Sequence, residues 1–335
     1  MITRKQIAID AVIKATELCQ TVQSEMVSTD TIQKKDRSPV TIADFGSQAI
    51  ICKVIGDTFP EDIVVGEEDA NSLRSNSELL DRVVDNVKTT ITVNANITGS
   101  HLGDDSDTIK HEQVCEWIDR GSGDIGESYW TLDPIDGTKG FLRKDQYAIA
   151  LAWIDEGIVK LGVLSCPNLP HQLNGSSSDK GSLFVAVKGE GTSLHTLEGD
   201  FVKKIDISDS VPCLAESFES THGDTDTHAK IANKLGLNAP PVQIDSQAKY
   251  GIVARGEASL YIRLPNPASP DYRECIWDHA AGMLVVEEAG GIVTDAHGMA
   301  LSYLTGRRMT NNHGIIATTK SLHPIVLTIL SEISL

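Results

Sequence analysis

The sequence predicts a mixed α/β fold of the α+β type, in which helices and strands are interleaved without a strict βαβ repeat. Apolar residues recur at three- and four-residue steps over residues 8–26, which predicts an amphipathic first helix. Short apolar runs predict strands, such as 63–65, where all three residues are β-branched, and 147–154. A length of 335 residues without an internal repeat indicates two parts, which we place at 1–205 and 206–335.

Two more helices are predicted in the first part. A second helix covers about residues 42–59 and places Asp44 in its first turn, where Thr41 and Asp44 have the spacing of a capping box. Ser75 and Glu78 have the same spacing at the start of a third helix, which continues to about residue 87.

Residues 94–128 form a polar insertion rich in glycine and aspartate, with one short helical stretch at 114–118. The insertion is either a lid over the site or a surface loop, and a surface loop is the commoner case. Strands at 147–154 and 158–163 are predicted to form a hairpin, and 183–188 adds another strand.

The second part alternates short strands with short helices that follow a polar capping residue and end before a glycine. The expected capping residues are Thr227, Ser246 and Asp278, and the glycines after these helices are Gly236, Gly256 and Gly290. The expected strands lie at 259–264 and 292–295.

The composition limits the kinds of partner. The chain carries 29 Lys and Arg against 47 Asp and Glu, a formal net charge of −18. So acidic a chain lacks the basic surface that nucleic acids and anionic membranes require. A phosphate ligand would be repelled as well, by about 4 kcal/mol for unit charges about 4 Å apart at an effective dielectric constant of about 20, unless bound cations intervene.

The sequence favours a cytoplasmic protein. It begins without the apolar segment of a secretion signal, and no apolar stretch approaches the roughly 18 residues of a membrane-spanning helix. The six cysteines are widely spaced and include no C-x-x-C pair, which is typical of reduced thiols that pack in a core.

The most informative motif is the run WTLDPIDGTKG at 130–140, where an apolar strand ends in two carboxylates. Asp133 and Asp136 supply the hard oxygen ligands that Mg²⁺ prefers, usually together with phosphate oxygens of a substrate. The N–H groups of Gly137 and Thr138 could bind a phosphate if a helix begins there. The alternative is a polar β-turn in which aspartate and glycine have ordinary turn roles.

Other carboxylates also follow predicted strands or begin predicted helices. Glu67 and Glu68 follow the strand at 63–65, and Asp278 and Asp44 each lie where a helix starts. Each has an ordinary alternative, which is a solvated acidic loop for the glutamates and helix capping for the aspartates. Together with Asp133 and Asp136, these make four carboxylate motifs at strand ends or helix starts in one chain, which favours a shared metal site.

Competing motifs are incomplete. The sequence GTKG at 137–140 lacks the first glycine and the final Ser/Thr of a P-loop, and no G-x-G-x-x-G follows a strand. The ten histidines show neither an H-E-x-x-H motif nor a spacing suited to zinc. Oxygen ligands without soft ligands favour Mg²⁺.

Three motifs resemble the metal-site motifs of the inositol monophosphatase superfamily, the lithium-sensitive, Mg²⁺-dependent phosphatases. They are Glu67-Glu68, Asp133-Pro-Ile-Asp136-Gly-Thr138 and Trp277-Asp278-His-Ala-Ala-Gly, in this order over most of the chain. Further segments resemble the 3′(2′),5′-bisphosphate nucleotidase branch: Ser38-Pro-Val-Thr-Ile-Ala-Asp44, Gly140-Phe-Leu-Arg143, Asp245-Ser246-Gln-Ala-Lys249-Tyr250 and Tyr261-Ile-Arg263-Leu-Pro265.

The resemblance implies the layered αβαβα sandwich of the inositol monophosphatase and fructose-1,6-bisphosphatase type. It implies two or three Mg²⁺ ions per site, held by Glu67, Asp133, the Ile135 carbonyl, Asp136 and Asp278. It also implies that Asp44 and Thr138 orient and deprotonate the attacking water, with Asp44 accepting the proton of the Thr138 hydroxyl.

The branch resemblance implies hydrolysis of the 3′-phosphate of 3′-phosphoadenosine 5′-phosphate, a by-product of sulfate transfer, to give AMP. It further implies inhibition by Li⁺ and Na⁺, and we expect a monomer. Lys249 and Arg263 suit phosphate, because a dianion in a partly buried site needs charge-assisted donors. The matching substrate contacts are Gly137, Thr138, His222, Ser246, Lys249, Arg263 and Asp278.

Alternatives remain open for single residues and for the function. Arg263 could form a surface ion pair, and His222 could be an ordinary loop residue, since Ser220-Thr-His222-Gly-Asp departs from the glycine-histidine-serine pattern of the branch. An inositol phosphate phosphatase would share the metal core but is disfavoured by the Ser246, Lys249 and Arg263 set and by the insertion at 94–128. A catalytically silent metal or nucleotide sensor is disfavoured because all the predicted carboxylate ligands are intact.

Overall fold

The computed structural model of the protein describes residues 3–26, 38–98, 109–175, 180–207, 210–218, 225–265, 269 and 271–333. Within these ranges the chain forms ten helices and two β-sheets. The helices are α1 Arg4–Glu25, α2 Ser38–Thr58, α3 Asn71–Arg74, α4 Ser77–Thr98, α5 His111–Asp119, α6 Thr138–Arg143, α7 Thr225–Leu235, α8 Ala248–Ala254, α9 Ala280–Glu288 and α10 His323–Ile333.

The first sheet contains seven strands that lie side by side in the order of the sequence. They are β1 Ile63–Gly66, β2 Ser128–Asp136, β3 Ala148–Asp155, β4 Ile158–Pro170, β5 Lys180–Val187, β6 Gly191–His195 and β7 Phe201–Ile205. β1 is parallel to β2, and the later neighbours are antiparallel. The predicted hairpin is confirmed as β3 and β4, whose turn has positive φ angles of 50° at Glu156 and 74° at Gly157.

The second sheet contains five short strands in the order β11-β12-β10-β8-β9. They are β8 Leu214–Glu216, β9 Val242–Gln243, β10 Leu260–Arg263, β11 Ile292–Thr294 and β12 Ile315–Thr318. β12 is antiparallel to both of its neighbours, whereas β8 is parallel to β9 and β10. β10 therefore lies at the centre of this sheet and ends at Arg263, a predicted substrate contact.

Three hydrophobic cores separate five layers. In the first core, α1 and α2 pack on the face of the first sheet that carries Trp130 and Leu132. In the second, α8 and α9 lie between the opposite face of that sheet, which carries Tyr129, and the second sheet. In the third, α7 and α10 cover the outer face of the second sheet around Ile262. The order of layers is αβαβα, and the predicted sandwich is confirmed.

The start of α2 differs from its prediction. The helix begins at Ser38 rather than near residue 42, because a proline such as Pro39 is tolerated in a first turn, where its missing N–H would have no helical partner. Asp44 consequently lies in the second turn, and Thr41 lies inside the helix, so their predicted capping box is wrong.

The capping box at Ser75 and Glu78 is also wrong. Ser75 follows the short helix α3, and Asn76 caps α4 by accepting a hydrogen bond from the Leu79 N–H at 3.2 Å. Helix α4 continues to Thr98, into the predicted polar insertion. The short helix predicted at 114–118 is confirmed as α5, with Val114 among its buried residues, and 99–108 lie outside the described residues.

The predicted capping residues of the second part do not occupy N-cap positions. α7 already begins at Thr225, so Thr227 lies inside it. Ser246 has a positive φ of 65° and precedes the N-cap Gln247, although its Oγ accepts from the Ala248 N–H at 3.2 Å. The cap of α9 is His279, whose carbonyl accepts from Met283 N at 2.8 Å, so the Asp278 side chain has no capping role.

Several short elements had no prediction: α3, α6, α10, β6, β7, β8, β9 and β12. The division of the chain at 205/206 stays a prediction, although β7 does end at Ile205. Within the described part of the chain, no helix is both long enough and apolar enough to cross a membrane.

Candidate metal and phosphate site

The two aspartates of the central motif are brought together by an irregularity at the end of β2. The pairing of β2 with β3 shifts register between Asp133 and Asp136, where Pro134 has no N–H for the ladder. In a regular strand, residues three positions apart point to opposite faces, so this shift allows both carboxylates to face one site. Gly137 follows with a left-handed φ of 90°, and α6 then begins at Thr138, as the predicted phosphate-binding turn requires.

Four predicted ligand side chains form one negatively charged cluster. Burial, and then the charges of Glu67 and Asp136, raise the pKa of Asp133 well above its usual range. The Glu67 side chain, unlike that of Asp133, is exposed to solvent. Desolvation of its carboxyl and the charge of Asp278 nevertheless raise the pKa of this group to about 8. Burial raises the pKa of Asp278 to about 6, and the charge of Asp136 contributes. The four carboxylates are thus close enough to oppose one another's ionisation.

The donor set of this cluster fits divalent metal ions. Asp133 is 2% exposed, and its buried Oδ1 has no hydrogen-bond partner among the described residues. A buried oxygen without a donor is unfavourable unless a cation or water satisfies it. Carboxylate oxygens are the ligands that Mg²⁺ prefers. Ile135 has an alkyl side chain, which lies in the first core, so the atom it could offer to a metal ion is its backbone carbonyl oxygen.

Asp44 and Thr138 differ in their surroundings. Burial, and then the charges of Glu68 and Glu67, raise the pKa of Asp44 well above its usual range. Thr138 is exposed at the start of α6. Both residues belong to the described ranges, and no hydrogen bond joins the Asp44 carboxylate to the Thr138 hydroxyl. Their predicted proton relay stays a prediction.

A cleft of about 290 Å³ lies beside the carboxylate cluster and is lined by predicted substrate contacts. Its lining includes Gly137, Thr138, Ser246, Lys249, Arg263 and both Asp136 and Asp278. His222 lies outside the described residues. A Cβ added at Gly137 would lie 2.9 Å from the Ser246 Cβ, so only glycine fits where this turn meets the cleft.

Lys249 provides a buried positive charge to this cleft. Its Nζ donates to the Ser217 Oγ at 3.0 Å and to the Ile244 carbonyl at 3.4 Å, and it lies 5.3 Å from the centroid of the Tyr261 ring. Burial lowers the pKa of Lys249 to about 8, although the carboxylate of Asp136 opposes this shift. An anionic ligand in the cleft would therefore favour the protonated amine.

Arg263 is held by a network of buried side chains. Its Nε donates to Glu274 Oε1 at 2.8 Å, and the other oxygen of Glu274 lies 3.4 Å from His279 Nε2. His279 Nδ1 in turn lies 2.7 Å from the Tyr250 hydroxyl. The ion pair is thus partly buried, not the surface pair considered as an alternative, and the guanidinium is oriented by the protein before any ligand binds.

Gln247 is a further residue of the site that the sequence analysis missed. Its N–H donates to Asp136 Oδ2 at 2.5 Å, and its side-chain amide donates to the Trp277 carbonyl at 2.9 Å. The Gly282 N–H donates to Gln247 Oε1 at 3.2 Å. Gln247 therefore ties the turn of Asp136 to the turn of Asp278. It lies in the motif Asp245-Ser246-Gln-Ala-Lys249-Tyr250, but the motif did not show this role.

Arg143 and Asp245 are also part of the site. The Arg143 guanidinium donates to the Asp245 carboxylate, which accepts the Phe218 N–H at 3.2 Å through its other oxygen. Both residues lay in motifs that resemble the nucleotidase branch, so the motifs marked them without showing their contact. Asp245 lines the cleft, and its pair with Arg143 joins α6 to the segment before α8.

The cluster predicts how stability depends on pH when metal ions are removed. The folded protein binds protons more strongly than the unfolded chain at Glu67 and Asp278, with pKa values raised from 4.5 to about 8 and from 3.8 to about 6. Stability from these groups is fully present below the unfolded values and is lost as pH rises through the folded values. In EDTA, the free energy of unfolding should therefore fall between pH 5 and 8, as measured by urea denaturation.

Saturating Mg²⁺ provides the control for this pH dependence. Bound cations would hold the carboxylates ionised in the folded protein, so the fall in stability between pH 5 and 8 should disappear or reverse. A free energy of unfolding that rises with pH in EDTA would show that the carboxylates do not repel one another as described.

Comparison with known proteins finds one family and similar enzymes over almost the whole chain. The chain matches the sequence model described as the inositol monophosphatase family over residues 3–335. A 3′(2′),5′-bisphosphate nucleotidase of Oryza sativa is 46% identical over 334 residues, which cover 95% of this chain and 90% of the relative. The 3′,5′-bisphosphate nucleotidase 2 of Arabidopsis thaliana is 41% identical over 336 residues, which cover 96% and 94%.

Solved structures share the fold at lower sequence identity. An IMPase of Thermotoga maritima superposes with a TM-score of 0.60 at 18% identity and covers 99% of this chain and 98% of its own. An inositol monophosphatase of Anabaena gives a TM-score of 0.58 at 18% identity, with coverage of 97% and 94%. At this identity, the likeness concerns the fold alone.

Proposed function

The chain belongs to the inositol monophosphatase family, and we propose that it is a Mg²⁺-dependent 3′(2′),5′-bisphosphate nucleotidase. It hydrolyses the 3′-phosphate of 3′-phosphoadenosine 5′-phosphate and releases AMP and inorganic phosphate. The relatives that are 40–46% identical over most of the chain bear this name, which supports the proposal. The inositol monophosphatase structures at 18% identity support the fold and not the substrate.

One observation carries the proposal: in a chain of net charge −18, two basic side chains line the same cleft as two carboxylates of the cluster. Asp136 and Asp278 line the same cleft as Lys249 and Arg263. A substrate with two phosphates can therefore place one at the cluster and the other near the basic side chains. A monophosphate without a nucleotide uses only the first of these positions.

The residues of the chain have distinct roles in this reaction. Glu67, Asp133, the Ile135 carbonyl, Asp136 and Asp278 would hold two or three Mg²⁺ ions. These ions supply an activated water nucleophile and charge stabilisation at the leaving oxygen. Asp44 accepts a proton from the Thr138 hydroxyl and so makes that hydroxyl a usable base toward the attacking water.

Substrate binding depends on the cleft. The N–H groups of Gly137 and Thr138 bind phosphate oxygens, and Ser246 contacts the nucleotide together with Lys249 and Arg263. His222 remains a proposed contact outside the described residues. Inhibition by Li⁺ and Na⁺ and a monomeric state belong to the same proposal, as does the role of 206–335 as the nucleotide-binding part.

Phosphate release from three substrates tests the function. With saturating Mg²⁺, kcat/KM should be highest for 3′-phosphoadenosine 5′-phosphate and lower for inositol 1,4-bisphosphate and inositol 1-phosphate. Activity should disappear in EDTA and return with Mg²⁺. A preference for an inositol phosphate would replace the nucleotidase assignment, and Mg²⁺ binding without release of phosphate from any of them would indicate a sensor.

The variant Arg263→Ala tests the basic side of the cleft. It should raise KM for 3′-phosphoadenosine 5′-phosphate by about 10–100-fold, because one charge-assisted contact contributes roughly 1.5–3 kcal/mol. Hydrolysis of p-nitrophenyl phosphate, which has no nucleotide, should change little. Steady-state kinetics of both substrates provides the measurement.

Glu274→Ala supplies a companion variant, because Glu274 orients the Arg263 guanidinium. If it acts through Arg263, the double variant should have the same KM as Arg263→Ala alone. Equal losses on the nucleotide and on p-nitrophenyl phosphate would instead make Arg263 part of the shared catalytic core or of the fold.

A further inference from the structure

Arg307 connects two of the three metal-ligand motifs. It lies between β11 and β12, distant in the sequence from every proposed ligand. Its Nη2 donates to the carbonyl of Gly66, the residue before Glu67. Its guanidinium carbon lies 4.8 Å from the centroid of the Trp277 ring, the residue before Asp278. One side chain thus contacts the residue that precedes each of two ligands.

The backbone of Arg307 is attached to the Asp278 side of this contact. The Ile276 N–H donates to the Arg307 carbonyl at 3.1 Å, and the Met309 N–H donates to the Glu274 carbonyl at 2.9 Å. Cys275 and Arg308 form an isolated β-bridge between these bonds. The backbone of the arginine is therefore bonded to the segment that leads to Asp278, and its side chain reaches the end of β1.

The end of β1 is held from the opposite side by Gln48. The Gln48 side-chain amide donates to the Glu68 carbonyl at 2.6 Å and accepts the Glu68 N–H at 3.1 Å. A Cβ at Gly66 would lie 2.5 Å from Gln48 Oε1, so the backbone lies directly against this amide. The turn that carries Glu67 is therefore enclosed between Gln48 and Arg307.

We propose that Arg307 is a positioning residue that sets the separation of the Glu67 and Asp278 carboxylates and thereby the affinity of the site for Mg²⁺. This inference rests on the proposed role of both residues as metal ligands. Groups that orient metal ligands typically change metal affinity by about 10–100-fold. By charge alone, a guanidinium near carboxylates weakens cation binding, so its removal would tighten Mg²⁺ binding. A positioning role predicts the opposite, namely weaker Mg²⁺ binding when Arg307 is removed.

Mg²⁺ binding to the full chain, measured by titration calorimetry without substrate, tests the proposal. Arg307→Ala should bind Mg²⁺ about 10–100-fold more weakly than the parent protein. Arg308→Ala is the matched control, because Arg308 is the next residue and carries the same charge. Its Nη1 donates to the Arg273 carbonyl at 2.6 Å, and its guanidinium lies over the Tyr272 ring. This control should bind Mg²⁺ as the parent does.

A second variant and a kinetic measurement separate positioning from a general effect on folding. Arg307→Lys keeps the charge and one donor but loses the planar group that stacks on Trp277, so its Mg²⁺ affinity should lie between those of the parent and Arg307→Ala. Thermal unfolding of each variant in EDTA establishes that it folds. With Mg²⁺ raised to saturation, kcat and the KM for nucleotide should return to parental values.

Three results would overturn the proposal. They are tighter Mg²⁺ binding by Arg307→Ala, unchanged Mg²⁺ affinity in folded Arg307→Ala and Arg307→Lys, and equal weakening by Arg308→Ala. Failure of the nucleotidase assignment gives a different result, because the parent would then bind Mg²⁺ and still release no phosphate from the nucleotide.

Discussion

Asp133→Asn is expected to abolish phosphate release and to leave the protein in EDTA at least as stable as the parent. Asp133 is buried, and its pKa is raised by burial and by the charges of Glu67 and Asp136. The asparagine has the same shape without the charge, and its amide can donate to the neighbouring Glu67 carboxylate. The measurements are phosphate release at saturating Mg²⁺ and urea denaturation in EDTA.

Asp57→Asn is a suitable control for this charge removal. Asp57 is an exposed carboxylate near the end of α2 and pairs with Lys53 at 2.7 Å, so its substitution changes the net charge equally without touching the cluster. It should retain parental activity. Near-parental turnover by Asp133→Asn at saturating Mg²⁺ would exclude Asp133 as an essential ligand.

The second large effect is expected for Asp44→Asn, which should lower kcat by about 10²–10⁴ with little change in the KM for nucleotide. Asparagine cannot accept the proton of the Thr138 hydroxyl, whereas the cleft around Lys249 and Arg263 remains intact. Steady-state kinetics over a range of Mg²⁺ concentrations measures the effect. Recovery of kcat at high Mg²⁺ would identify Asp44 as a metal ligand.

Thr138→Val tests whether Asp44 and Thr138 act as one unit. Their side chains are not hydrogen-bonded to each other, and catalytic contacts of this kind often form only when substrate is bound. If they share one proton transfer, the double variant should be no slower than the slower single variant. Multiplied losses would show that the two residues act independently.

The sequence predicted the structure best where the structure depends on residues that are close together in the sequence. The hairpin turn at Glu156 and Gly157 follows from local turn preferences, and the proposed ligands of β2 follow from a strand interrupted by Pro134. The layered sandwich was predicted from the family resemblance, because the strands β8, β9 and β12, of two to four residues, are too short for a periodic signal. Their pairing depends on contacts between distant parts of the chain.

Sequence patterns failed to predict where helices start and which residues hold the turns of the site together. The spacing of Thr41 and Asp44 matched a capping box by chance inside a longer helix. Asp278 precedes the true cap, His279, by one residue, which is within the usual uncertainty of helix boundaries. Gln247 lies inside one of the quoted motifs and Arg307 lies outside all of them, but neither role could be predicted, because both arise only when separate turns meet in the folded chain.

The central helical layer has a consequence for how the chain folds. Every residue of α8 from Ala248 to Ala254 is buried, and together with α9 it contributes to a core shared by both sheets. Neither sheet can exclude water from its inner face until this layer is in place, so 1–205 alone would expose the apolar face around Tyr129. Neither part therefore has a free energy of unfolding that is independent of the other, and the chain should unfold in a single cooperative transition.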